Sequence, residues 1–303
     1  MTGPQSQQQP PGYWQAMCLL CLLLPACSGD AGGSELGRLW REARRPAPYI
    51  QPPAAQLQAA QRLFRQELLD PAAPGLAGEW ASLGMRRIGL HIGKNTCRLI
   101  MESAGDRHGR GLYLFCPQAP RAVALQLPHG FKDAHTGRIG LKLAASGEFA
   151  LVAWNTVPRN YRDQGQYVDA DLAHLPESWF TALTRAIAAS GRLRQVVQPH
   201  GFSQAKRKSA AGRAADFILS AARREASLAV EDLAACLRKQ GEKRVRVYPR
   251  EVRELGALSN REAALLRETG TTGFIHIEMS GAVRKRLAHE STARHRLLAC
   301  LPR

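Results

Sequence analysis

Short apolar segments with the residue preferences of β-strands recur along most of this chain, and amphipathic helical segments separate the later ones. The first strand candidates follow one another closely, as in antiparallel hairpins, whereas those beyond residue 175 alternate with helices. This order predicts an α/β fold in which helices cover both faces of a mixed β-sheet, giving a three-layer sandwich. The helices are predicted at 54–69, 176–190, 209–222, 228–241 and 260–270.

The first 26 residues have the pattern of an export signal. An apolar run from Met17 to Ala26 is too short to span a bilayer and matches the hydrophobic region of a signal peptide. The sequence LLPAC at its end resembles a bacterial lipobox, which predicts lipid modification of Cys27 and an exported protein anchored in the cell envelope on the periplasmic side. No Lys or Arg precedes Arg38, unlike most signal peptides, so a fortuitous apolar segment is the alternative.

The remaining chain divides by composition into two parts. Residues 27–53 are rich in Gly, Pro, Ala and Arg, which predicts a flexible tether. Residues 54–303 are predicted to form a single catalytic α/β domain, since no internal repeat or second composition block interrupts them.

Four cysteines follow the predicted signal, and none of them has CxxC spacing, so a cysteine-based zinc site is not indicated. Two of them flank a predicted hairpin and are the expected disulfide pair, in a compartment where disulfides persist. The expected pair is Cys97 and Cys116, and the other two cysteines are Cys236 and Cys300.

The chain is strongly basic. Lys and Arg number 42 against 25 Asp and Glu, a net charge of +17, which attracts anions. Aromatic residues make up only 6% of the chain, and neither a zinc-finger spacing nor a basic stripe interleaved with aromatics is present, so specific nucleic-acid binding is not expected. A peptide-like substrate or an anionic polymer fits the charge.

Polar residues lie at the ends of four predicted strands. His129 follows AVALQLP, Asn155 follows EFALVAW, His200 follows RQVVQP, and Glu278 lies at the end of GFIHIE. Ligands of open α/β sheets bind beyond the carboxyl ends of the strands, where side chains from several strands converge. The sequence therefore predicts a functional site at this edge of the sheet.

Two of these residues lie in matching segments, LPHGF at 127–131 and QPHGF at 198–202, in which a proline is expected to end the strand and a glycine to allow a close turn. Zinc binds histidine nitrogen and carboxylate oxygen, and a catalytic zinc uses three protein ligands with one open position. His129, His200 and Asp133 form such a set, with His135 as the alternative to Asp133. Calcium and magnesium prefer all-oxygen ligand sets, which this cluster does not offer.

The order of these residues resembles that of zinc carboxypeptidase-like hydrolases, nearest to the phage poly-γ-glutamate hydrolase and N-formylglutamate amidohydrolase types. The resemblance covers about 86–287 and implies a Zn²⁺ held by the three proposed ligands, with Glu278 as general base. It further implies substrate binding by Asn155 and Arg159. The acid is Asp133, one residue further from the histidine than in His-x-x-Glu, and the Asn and Arg are separated by three residues instead of being adjacent.

The implied function is zinc-dependent hydrolysis of amide bonds in a peptide, γ-glutamyl or cell-wall-type substrate. A catalytic or substrate-binding role is expected for Arg159, or for another arginine such as Arg284. Asn260 is either a substrate contact or the N-cap of helix 260–270. For Glu278, an ion pair with Arg284 or Lys285 is the structural alternative. The competing function is a non-catalytic envelope lipoprotein that binds an anionic ligand or partner through the same fold.

Overall fold

The computed structural model describes residues 1–3, 31–270 and 273–303. Apart from its first three residues, the predicted export signal lies outside the described residues, as does Cys27. Within the described ranges, no helix combines the length and the apolar character needed to cross a membrane.

Nine strands form one mixed sheet, in the order β1-β2-β3-β5-β4-β8-β11-β9-β10, and two more form a separate hairpin, β6-β7. Four neighbouring strands in the middle, β5, β4, β8 and β11, run parallel, whereas β1, β2, β3 and β5 pair antiparallel. The strands are β1 (Met85–Ile92), β2 (Asn95–Glu102), β3 (Leu112–Phe115), β4 (Arg121–Leu127), β5 (Phe149–Trp154), β6 (Asn160–Asp163), β7 (Gln166–Asp169), β8 (Gln195–Gly201), β9 (Phe217–Ser220), β10 (Val245–Val247) and β11 (Gly273–Met279).

Nine of the ten helices of the described chain, all but the short α6, cover the two faces of the sheet, as predicted for a three-layer sandwich. Side chains of α1, α4, α7, α9 and α10 pack in one hydrophobic core, and those of α2, α3, α5 and α8 in the other. The helices are α1 (Ala31–Ala43), α2 (Ala54–Leu69), α3 (Leu76–Ser82), α4 (Thr136–Ala144), α5 (Trp179–Ser190), α6 (Ala210–Ala214), α7 (Leu228–Lys239), α8 (Arg261–Thr269), α9 (Gly281–His289) and α10 (Ser291–Cys300).

The segment predicted as a flexible tether, 27–53, is folded from Ala31 onward, so that prediction is wrong for the described part. Leu36 and Leu39 are buried in the core of one face of the sheet. The guanidinium of Arg44 lies 4.2 Å from the ring of Trp40 and donates a hydrogen bond to the carbonyl oxygen of Gly130 at 3.3 Å. Because Leu36, Leu39 and Trp40 recur at helical spacing, they bury one face of α1 despite the surrounding Gly and Ala.

The predicted helix 209–222 contains two different elements. Only Ala210–Ala214 is helical, and Phe217–Ser220 forms β9 inside the sheet, where all four residues are buried. The alanine-rich sequence favours a helix locally, but pairing of β9 with β10 and β11 overrides that preference. The hairpin β6-β7 was not predicted from the sequence, because its residues are mostly exposed and carry no apolar alternation.

Two disulfides tie the fold together. Cys97 on β2 is bonded to Cys116 directly after β3, which confirms the predicted pair. Cys236 on α7 is bonded to Cys300 on α10, across a sequence separation of 64 residues. The second bond joins two helices that cover the same face of the sheet.

Candidate metal centre

The carboxyl ends of β4, β8 and β11 bring three predicted site residues together. His129 lies two residues beyond β4, whereas His200 and Glu278 lie within β8 and β11. The register of the parallel pair places Glu278 directly opposite His200. Pro199 does not end its strand, contrary to the prediction, since β8 continues to Gly201. The pairing of β8 with β4 ends at Val197, before the proline.

Asp133 reaches the same point through a tight turn after β4. Its backbone N–H donates to the carbonyl oxygen of His129 at 2.9 Å, so the two side chains lie one turn apart on the same side of the chain. The carboxylate oxygen Oδ2 accepts a hydrogen bond from the backbone N–H of Gly201 at 3.0 Å. The turn and this bond hold the acid between the two histidines.

Three potential ligand atoms form a small triangle. The Nδ1 atoms of His129 and His200 are 3.0 Å apart, and Oδ2 of Asp133 lies 3.6 Å from the first and 3.5 Å from the second. All three side chains are buried. Ligand atoms of a tetrahedral zinc, each about 2.0–2.2 Å from the ion, lie about 3.3–3.6 Å from one another. The donor chemistry and both distances to Oδ2 fit zinc, whereas the two Nδ1 atoms would have to separate by about 0.3 Å or more.

The second nitrogen of each histidine faces an acceptor. Nε2 of His129 lies 2.8 Å from Oδ1 of Asp171, and Nε2 of His200 lies 3.3 Å from Oε1 of Gln198. Each acceptor favours a proton on Nε2, which leaves the Nδ1 lone pair directed at the shared point. Metal-binding histidines usually have such an outer partner.

Gln198 belongs to a buried chain of amides that extends to the helices α5 and α8. Its Nε2 donates to Oε1 of Gln126 at 2.8 Å, and Gln126 in turn donates to the hydroxyl of Thr184 at 3.2 Å. Nδ2 of Asn260 donates to Oε1 of Gln198 at 2.8 Å. Because each amide fixes the orientation of the next, the network fixes the ring of His200 as well.

Burial and hydrogen bonding set the proton affinities of the three candidate ligands. Burial favours a lower pKa for His129, but hydrogen bonds and charges from Asp133 and Asp171 outweigh it and raise this pKa to about 9. Burial lowers the pKa of His200 to about 4. Burial favours a higher pKa for Asp133, but hydrogen bonds from both histidines outweigh it and hold this pKa well below its usual range.

Glu278 lies beside the triangle and is only 8% exposed. Its Oε2 is buried and has no hydrogen-bond partner within the described ranges, and neither Arg284 nor Lys285 forms an ion pair with it there. Oε1 lies 3.8 Å from Nε2 of His276, a third buried histidine of the site, which lies on β11. Burial, helped by the negative charge of Asp133, raises the pKa of Glu278 to about 8.

The structure does not bring His135 and Asn155 to this centre. His135 is exposed at the start of α4, and its ring lies 5.8 Å from the ring of His289. Asn155 is buried, but its Nδ2 donates to the carbonyl oxygen of Pro128 and its Oδ1 accepts from the backbone N–H of Val157. Those bonds hold the end of β4 and occupy the groups that the resemblance assigns to substrate binding.

Two other predicted residues do lie at the site. Arg159 is partly exposed, with Nη1 3.3 Å from Nδ1 of His129 and 3.6 Å from Oδ2 of Asp171. Asn260 caps α8 by accepting from the backbone N–H of Ala263 at 2.9 Å, and its amide nitrogen supports Gln198. It therefore acts as a cap and also supports the amide network.

A cavity of about 450 Å³ opens above these residues. Apolar side chains from the loops after β8 and β10, including Phe202 and Leu255, form part of its wall. Five cationic side chains also line it: Lys132, Arg159, Lys206, Arg207 and Arg284. The cavity thus offers a peptide-sized space with a positive potential beside the candidate metal centre.

Sequence reasoning missed Asp171, Gln198 and His276. Asp171 follows the unpredicted strand β7 and lies 42 residues from the histidine that it contacts. Gln198 and His276 precede His200 and Glu278 by two residues on their strands, a spacing that puts all four on the same face of the sheet. That period of two was visible in QPH and HIE, and it is the signal that could have identified them.

Known proteins give only distant comparisons. No protein-family model matches the chain, and no curated protein matches it. A metallo-carboxypeptidase from Burkholderia cenocepacia is 13% identical with a TM-score of 0.41, over 81% of this chain and 66% of that one. A proposed metallopeptidase from Shewanella amazonensis is 12% identical with a TM-score of 0.33, over 85% of this chain and 100% of that one. The chain thus spans just under two thirds of the Burkholderia protein, and similarity at this level assigns no activity.

Proposed function

We propose that this chain is a zinc-dependent hydrolase of amide bonds in peptide-like, acidic substrates. The observation that carries the proposal is the convergence of His129, His200 and Asp133 beside Glu278, a buried carboxyl group with an oxygen that has no hydrogen-bond partner among the described residues. Leaving such a group unpaired inside a protein costs about 1–3 kcal/mol. A residue with a purely structural role has no reason to leave a buried oxygen unpaired. A general base that must face a substrate has such a reason.

His129, His200 and Asp133 would hold the zinc, with Asp171 and Gln198 orienting the two imidazoles. When bound, zinc would lower the pKa of a coordinated water and polarise the scissile carbonyl. The positive charge of the ion would also neutralise Asp133, whose negative charge helps to raise the pKa of Glu278. We therefore expect Glu278 to be ionised, and able to accept a proton, in the loaded protein.

Glu278 would act first as a base and then as an acid. Its carboxylate takes a proton from the attacking water while the water oxygen forms a bond to the carbonyl carbon. The same proton then passes to the amide nitrogen as the carbon–nitrogen bond breaks, so the amine leaves in neutral form. The burial of Glu278 keeps its proton affinity high enough for both transfers.

Acidic peptides, γ-glutamyl chains and cell-wall peptides are the substrate classes that we propose, because the cationic lining of the cavity favours anionic groups. We further propose export and attachment to the envelope through Cys27. The two disulfides support export, since such bonds persist in oxidising compartments.

The test compares metal content with hydrolysis in the full chain. Purified protein should carry stoichiometric zinc and hydrolyse members of a panel of α-peptides, γ-glutamyl peptides and cell-wall peptides, and a chelator should abolish the activity until zinc is restored. His129→Ala and His200→Ala should lose both properties, whereas the control His295→Ala, which alters an exposed histidine on α10, should keep both. Anion binding without zinc or hydrolysis would instead identify a non-catalytic binding protein.

A further inference from the structure

The guanidinium of Arg284 on α9 is fixed by backbone carbonyl groups from three separate segments of the site. Nε donates to the carbonyl oxygen of Ala134 at 2.8 Å, and Nη1 donates to those of Met279 at 2.6 Å and Phe202 at 3.2 Å. Each acceptor lies one or two residues beyond a candidate ligand or the candidate base. The guanidinium therefore has a fixed position relative to the reacting groups.

Gly201 makes room for this arrangement. A Cβ atom at that position would overlap Nη1 and Cζ of Arg284. The glycine that follows His200 thus admits a cation next to the metal centre, which gives QPHGF a role beyond turning the chain.

Arg284 differs from the neighbouring arginines because no carboxylate of the described chain forms an ion pair with it. Arg159 lies 3.6 Å from Asp171, and Arg207 lies 3.6 Å from Glu254. In the described residues Nη2 of Arg284 makes no hydrogen bond, and the side chain lines the cavity. A half-buried guanidinium that is held by neutral carbonyls, and on which the carboxylates of Asp133 and Glu278 act only from beyond ion-pair distance, is prepared to bind an anion.

We infer that Arg284, rather than Arg159, binds a carboxylate of the substrate. The inference rests on the proposed function for the identity of that substrate, a peptide-like chain with acidic groups. Arg159 already pairs with Asp171, so its charge is partly neutralised, and the amide groups of Asn155 are occupied by hydrogen bonds to the backbone. The free Nη2 of Arg284 offers a charge-assisted hydrogen bond next to Glu278, and the carboxylate fixes the substrate relative to the base.

Calorimetry with two small molecules tests this assignment without turnover. The full, zinc-loaded chain, carrying Glu278→Gln so that the amide bonds of the two compounds are not hydrolysed, is titrated with N-acetyl-L-glutamate and with uncharged N-acetyl-L-glutamine amide. Arg284→Gln should weaken binding of the glutamate by about 10- to 100-fold, the usual effect of a lost charged hydrogen bond, and leave the uncharged compound unaffected. Arg162→Gln, which alters an exposed arginine on β6, is the matched control and should change the affinity for the glutamate by less than about threefold, and the loss in Arg159→Gln should be smaller than that in Arg284→Gln.

Arg284→Lys is the control for a folding defect. It keeps the positive charge and should therefore retain more affinity for the glutamate than Arg284→Gln. Unchanged glutamate binding in Arg284→Gln, an equal loss in Arg159→Gln, or no glutamate binding by the parent chain would overturn the assignment. Titration of the metal-free chain separates the two proposals. If the chain takes up no zinc but still binds the glutamate through Arg284, the proposed hydrolase function is contradicted. If the chain hydrolyses its substrate with zinc and Arg284→Gln changes neither hydrolysis nor glutamate binding, the proposed anion site is contradicted.

Discussion

Asp171 is the residue whose change best tests how the site is organised, since it is not itself a proposed zinc ligand and the proposed ligand that it contacts is His129. It also pairs with His174 at 3.1 Å and with Arg159 at 3.6 Å. Its Oδ1 accepts from Nε2 of His129 at 2.8 Å, a distance typical of a charged hydrogen bond. Outer partners of this kind change metal affinity by about 10- to 100-fold. Asp171→Asn keeps an acceptor and loses only the charge, so we expect zinc affinity to fall by about tenfold, and by about 100-fold in Asp171→Ala.

The pH dependence of this effect gives a second measurement. Asp171 also helps to raise the pKa of His129 to about 9. At neutral pH it therefore favours the binding of a proton to His129 as well as the binding of zinc, and the two compete. The loss of affinity in Asp171→Asn should therefore be larger at pH 9 than at pH 7.

Competition with a chromophoric chelator in zinc-buffered solution measures both values. Asp163→Asn, which removes the same charge from an exposed position on the β6-β7 hairpin, is the control and should bind zinc like the parent chain. Equal zinc affinity in the parent and both Asp171 variants would refute the reasoning.

Three further outcomes are expected. Glu278→Gln should lower the rate of hydrolysis by about 10²- to 10⁴-fold and leave the zinc content unchanged. The control Glu268→Gln, on the exposed end of α8, should change neither quantity. Full activity in Glu278→Gln would exclude Glu278 as the base. Zinc affinity should rise about tenfold per pH unit up to the pKa of His129, near 9, and then level off, because Nδ1 binds metal only after losing its proton; a flat profile in chelator competition would contradict this. Replacing Cys236 and Cys300 by Ser should lower the free energy of unfolding by about 4 kcal/mol, from a bond that spans 64 residues, whereas urea curves that coincide with the parent would show no constraint.

The sequence predicted the parts of the site that follow from strand chemistry. His129, His200 and Glu278 stand out because polar side chains at strand ends are costly unless they have partners or a purpose. Parallel packing of β4, β8 and β11 then brings them together. Which of Asp133 and His135 joins them depends on the turn that starts at His129, and the local sequence leaves that turn open.

Features that depend on long-range contacts could not be predicted. Asp171 reaches His129 only because the chain returns after the β6-β7 hairpin, whose sequence carries no apolar alternation that predicts strands. Composition suggested that 27–53 was a tether, although Leu36, Leu39 and Trp40 had the spacing of a buried helical face. Strand β9 was predicted as part of a helix because its segment is rich in alanine. The helix propensity of that segment is weaker than the effect of strand pairing within the sheet.

A crystal structure of the zinc-loaded chain, with anomalous data collected on both sides of the zinc absorption edge, tests the proposed metal centre most directly. We expect a peak about 2.0–2.2 Å from Nδ1 of His129, Nδ1 of His200 and a carboxylate oxygen of Asp133. A zinc peak in the group formed by His129, Asp171 and His174, or no peak at either position, would contradict it.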